Sequence, residues 1–145
     1  MRTRHRLLLL TLAVAAADLP LVAAGPYEKV AEIAVGGPTT FDYLLADGPS
    51  KRLYVSHGTE VVVIDTEKNT IVGRIADTPG VHGIALAPAL GRAFTTNGRE
   101  NKVSIVDLKT LATLSKVETG ANPDAVIYEP TQKRVWAFNH TGKSV

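Results

Sequence analysis

The feature that most constrains this chain is internal repetition. RLYVSHG begins at Arg52, RAFTTNG at Arg92 and RVWAFNH at Arg134, so one phrase recurs after 40 and then 42 residues. The match extends to both sides. FDYLLADGPSK, VHGIALAPALG and DAVIYEPTQK precede the three copies, each an apolar run closed by Pro, Gly or Ser. After them EVVVIDTEKNTIVGRI aligns with KVSIVDLKTLATLSKV, with Asp65 and Asp107 in register, and ADTPGVHG aligns with ETGANPDA. A period of some forty residues means a repeat architecture, in which each unit buries its apolar faces against its neighbours.

Each unit holds four short runs rich in Val, Ile, Leu, Thr, Tyr and Phe, separated by turn residues. That is strand composition at strand length. In the second unit the strands are expected at Gly83–Ala87, Arg92–Thr96, Lys102–Asp107 and Ala112–Val117. No stretch after residue 24 keeps a helical period. Four antiparallel strands per forty-odd residues predict an all-β fold of β-propeller blades.

GIALAP, GRAFTTNG and NKVSIVDLKT together resemble the YVTN-type β-propeller repeat, with RLYVSHG, RAFTTNG and RVWAFNH standing at its second-strand motif. The resemblance runs from about Tyr27 onward and is nearest to the YncE-like group of exported propellers. It implies a ring of about seven blades. The units expected here are a closing strand at 25–38, blade 1 at 39–80, blade 2 at 81–122 and a partial blade 3 at 123–145. In the closing segment YEKVAEIAVGG, Ile33 aligns with Ile75 and Val117. Such an arc, about two and a half blades of an incomplete ring, leaves strand edges and apolar faces open. The remaining blades are therefore expected from sequence beyond Val145, or, less simply, from further copies of the chain.

The N-terminus has its own pattern. MRTRHR is basic, residues 7–17 are uncharged and apolar, and LVAAG supplies small residues around a cut after Ala24. That order predicts a secretory signal peptide over 1–24 and a periplasmic or secreted protein. The apolar run is too short to span a bilayer, which takes roughly 20 residues, so no membrane span is expected once it is removed. Removal takes three of the 16 basic residues and one of the 14 acidic ones, leaving 13 of each. A neutral chain has no electrostatic reason to favour nucleic acid or anionic lipid, whatever its whole-sequence pI. The absence of cysteine rules out c-type haem attachment, iron–sulfur ligation and thiol catalysis within these residues.

The turns at DGPSK, APALG and EPTQK make the first and second strands of each unit antiparallel, so the start of one meets the end of the other. Asp42 then neighbours His57, His82 neighbours Asn97, and Asp124 neighbours Asn139. By the propeller resemblance the first strand is innermost. Asp42, His82 and Asp124 are then expected at the mouth of the central channel, with His57, Asn97 and Asn139 behind them. Asn and His at strand ends also serve as hydrogen-bonding turn residues, a purely structural role for the second set. His82 is the best single candidate, because it departs from Asp at its position.

Arg52, Arg92 and Arg134, with Lys51 and Lys133, mark the opposite rim, where they are expected to pair with Asp65 or Asp107. No nucleophile elbow, HExxH helix or spaced carboxylate pair is present, and no catalytic residue, cofactor or metal site is assigned. AFNHTGKS imitates a phosphate loop, but its register places it in a strand rather than before a helix. The expectation is an exported binding or scaffold module that takes a small molecule or protein at the channel mouth. The competing expectation is part of a propeller enzyme, a lactone hydrolase or a metal- or cofactor-dependent oxidoreductase, with its catalytic residues in other blades.

Overall fold

A computed structural model describes residues 25, 27–37 and 40–145. Residues 1–24, where a signal peptide is expected, lie outside the described residues. Ten strands follow in order: β1 Phe41–Asp47, β2 Arg52–His57, β3 Glu60–Asp65, β4 Thr70–Ile75, β5 Val81–Ala87, β6 Arg92–Asn97, β7 Lys102–Asp107, β8 Thr113–Glu118, β9 Pro123–Glu129 and β10 Arg134–Asn139. Pairing is antiparallel and sequential, in sheets β1-β2-β3-β4, β5-β6-β7-β8 and β9-β10. A 3-10 turn, Pro88–Leu90, interrupts the β5–β6 connection.

Turn chemistry sets the strand ends. The residue just before each second strand is left-handed: Lys51 (φ 55°), Gly91 (φ 61°) and Lys133 (φ 55°). After the third strands, Asp65 Oδ1 accepts from the N–H groups of Glu67 and Lys68, and Asp107 Oδ1 from those of Lys109 and Thr110, all at 2.9–3.0 Å. Those bonds hold both aspartates below the ordinary carboxylate range, against a smaller opposing effect of desolvation.

The core lies between the sheets. Tyr54, Val61, Val63 and Ile75 of the first pack against Val81, Ile84, Ala93 and Val106 of the second. Ala87, Phe94 and Val103 of the second meet Val126, Tyr128, Val135 and Ala137 of the third, with Phe94 stacked on Tyr128 at 6.0 Å. The central strands are covered on both faces. This is why VVVI at 61–64 is an unbroken apolar run whose four residues are all buried.

Residues 31–37 lie within the closing strand expected at 25–38. They contribute Ile33 and Val35 to an apolar cluster with Val55, Val62 and Ile64, but they form no ladder. A strand needs a neighbouring strand to satisfy its N–H and C=O groups, and no strand among the described residues pairs with this segment. The segment is instead tethered through a side chain. Arg74 donates to the Val35 carbonyl (2.8 Å), as Lys116 reaches Asp77 (2.9 Å) 42 positions later.

Candidate functional site

Each first strand carries a register irregularity at the same place. The ladder slips between Phe41 and Leu44, between Val81 and Ile84, and opposite Phe138 and Asn139. An extra residue in one strand re-aims the side chains around it. The displaced positions include Asp42, His82 and Asp124, one from each sheet.

The three are brought together. His82 Nδ1 lies 2.8 Å from Asp42 Oδ2 and 3.7 Å from Asp124 Oδ1, so an imidazole of the second sheet stands between carboxylates of the first and third. The side chains are 27% exposed for His82 and 38% for each aspartate, open enough to meet a ligand. Two further side chains extend the cluster. Asn122 Oδ1 faces His82 Nε2 at 3.4 Å, and Asn122 Nδ2 lies 3.4 Å from His140 Nδ1. Asn122 is left-handed (φ 53°) and aligns with Gly80 (φ 65°), a turn position that asparagine tolerates. His140 stands where the earlier copies of the phrase have Gly58 and Gly98. That departure in RVWAFNH was the available signal.

Gly98 makes room for this cluster. A Cβ there would sit 2.6 Å from His82 Nε2 and closer still to Asn122 Oδ1. Thr96, fully buried, fixes the backbone beneath: its hydroxyl donates to the Asp124 carbonyl (2.6 Å) and accepts from the Gly83 N–H (3.1 Å). It thereby ties the irregularity in β5 to that in β9.

His57, Asn97 and Asn139 do not join the cluster. Asn97 is fully buried, accepts from Thr95 Oγ1 (2.9 Å) and donates to Glu100 Oε1 and Ser104 Oγ (both 2.7 Å). His57 is 2% exposed, 3.7 Å from Glu60 Oε1 and packed on the Phe41 ring at 4.7 Å. Asn139 is 8% exposed and donates to Ser144 Oγ (3.1 Å). The contacts named here lie within each residue's own sheet or the turn that follows it, as strand-end polar residues can do.

At the opposite rim Arg92 pairs with Asp107 (2.9 Å), whereas Arg52 donates across the gap to the Leu108 carbonyl (3.3 Å). AFNHTGKS runs from β10 into a turn closed by an Asn139–Ser144 bridge. Among the described residues, no group of three His, Asp or Glu side chains is arranged to hold a metal ion, and no helix is long and apolar enough to cross a membrane.

Four-stranded antiparallel sheets packed face against face, with β1, β5 and β9 adjacent along one edge, are successive blades of a β-propeller. No family model matches the chain. It is similar to the uncharacterized protein YncE of Salmonella typhimurium, at 26% identity over 98 residues, 66% of this chain and 28% of that protein. The chain thus spans under a third of that relative's length. Among solved structures it resembles hydrazine synthase of Kuenenia stuttgartiensis (TM-score 0.65, 17% identity, 78% of this chain and 32% of that one). It also resembles the Swd1 β-propeller domain of Myceliophteria thermophila (0.58, 13%, 70% and 35%) and apo AztD of Citrobacter koseri (0.53, 19%, 62% and 26%). At these identities the likeness is one of fold.

Proposed function

We propose that these blades belong to an exported propeller that binds a ligand at its channel mouth, with Asp42, His82 and Asp124 as part of the binding surface. The observation that carries this reading is the gathering of one polar side chain from each of three blades, at displaced first-strand positions, with all three open to solvent. A purely structural histidine bridge would serve equally well if buried, as His57 is.

Two half-exposed carboxylates offer acceptors, so the ligand class is a small molecule or peptide that presents N–H donors. Further blades complete the ring, because apolar side chains such as Trp136, Phe138 and Ile127 of the third sheet are 39–51% exposed. The test is a thermal-shift titration of the whole encoded chain with primary amines, guanidines and short basic peptides. Saturable stabilisation that disappears in both Asp42→Asn and Asp124→Asn is expected. A panel with no saturable response, or one indifferent to both substitutions, rejects the reading. Export is tested separately by fusing residues 1–24 to a reporter active only outside the cytoplasm.

A further inference from the structure

A second feature lies at the opposite rim, in the cleft between the first two blades, and does not depend on the mouth. Its walls include Tyr54, Arg52, Arg92 and Lys109. Both blades are complete in this chain, so the cleft is complete as well.

Three observations converge there. First, the arginines have spare donors. Arg52 bonds the Leu108 carbonyl through Nη1, and Arg92 bonds Asp107 and the Gly91 carbonyl, also through Nη1 alone. A guanidinium carries five N–H groups, so each retains an edge for another acceptor. Second, the charge is positive. Three cations face two carboxylates, and both carboxylates are engaged: Asp47 by Ser50 Oγ (2.5 Å), Asp107 by Arg92 and its own turn. Third, Tyr54 is only 1% exposed, and its hydroxyl has no hydrogen-bond partner among the described residues. The equivalent positions in the next two copies are Phe94 and Trp136, which carry no hydroxyl. Tyr54 lines the cleft, so its hydroxyl is a donor there that phenylalanine would not supply.

We propose that this cleft binds a small oxyanion, a carboxylate or a phosphate, held by Arg52 and Arg92 with the Tyr54 hydroxyl as a further donor. Arginine suits such groups because its planar fork matches two oxygens at once.

The experiment is calorimetric titration of the whole encoded chain with inorganic phosphate and, separately, acetate, at fixed ionic strength with chloride as the balancing anion. Saturable binding of at least one is expected, with a Kd on the order of 1 mM. Preference for phosphate or for acetate assigns the source of the oxyanion. Tyr54→Phe, which copies the residue of the second blade, is expected to weaken binding about tenfold, and Arg52→Gln by at least as much. No saturable heat with either anion overturns the proposal. So does binding that is unchanged in Tyr54→Phe. Because Tyr54→Phe keeps the ring that fills the core, an unaltered thermal transition separates lost binding from lost folding.

Discussion

Thr96→Val is the most informative single substitution, because it changes chemistry without changing shape. Thr96 is fully buried, and its hydroxyl joins the Gly83 N–H (3.1 Å) to the Asp124 carbonyl (2.6 Å). Valine leaves both backbone groups without that partner in an interior closed to water. An orphaned buried group costs about 1–3 kcal/mol, so with some return from the added methyl the loss should be about 2–4 kcal/mol. Thr96→Ser is the control. It keeps the hydroxyl and removes one methyl, for a loss of about 0.8 kcal/mol. Urea unfolding of the whole encoded chain, followed by circular dichroism, reads both changes as midpoint shifts at constant slope. If valine costs no more than serine, the hydroxyl is not what holds the two irregular strands together, and the account of how Asp124 is positioned fails.

Three further outcomes follow from local geometry. Lys116 is 18% exposed and bonded to Glu100 (2.8 Å) and Asp77 (2.9 Å), and Asp77 is 73% exposed and screened, so Lys116→Met should cost about 1–2 kcal/mol, mostly through Glu100. Burial alone would lower the Lys116 pKa, but its carboxylate partners raise it above the ordinary 10.5; its stabilisation is therefore whole below that value and fades as pH rises through the folded one, which alkaline unfolding of wild type against Lys116→Met measures. The lowered pKa of Asp107 has the opposite sign: its contribution is whole above the ordinary 3.8 and is lost as pH falls through the lower folded value, so Asp107→Asn should flatten the acid limb of a stability–pH curve. Lys51 holds a left-handed backbone (φ 55°) where the second copy has glycine, and Lys51→Gly should stabilise by up to about 1 kcal/mol, read as a higher urea midpoint.

Repetition made the architecture legible. The alignment of RAFTTNG with its neighbours places β6 and β7 at Arg92 and Lys102, and strand direction together with the propeller resemblance brings Asp42, His82 and Asp124 to one end. What stayed hidden was of a different physical kind. A one-residue slip in a first strand is a choice of register, and alternating side chains look the same before and after it. Asn97 and Asp124 are both polar residues at strand ends, and only burial separates the one that serves its own sheet from the one that faces solvent. Arg52 and Arg92 hold equivalent positions in the repeat, yet Arg52 reaches the next blade's turn while Arg92 folds back on Asp107. The segment at 31–37 has strand composition but no neighbouring strand to pair with, so its composition did not decide its conformation.

The central claim is that these are blades of a larger ring rather than a free-standing fold. It is tested most directly by producing residues 25–145 alone and measuring mass by sedimentation alongside thermal unfolding. With Trp136, Phe138, Val117 and Leu114 39–52% exposed, the account predicts self-association and a broad, weak transition. A monodisperse monomer with one sharp transition would contradict it.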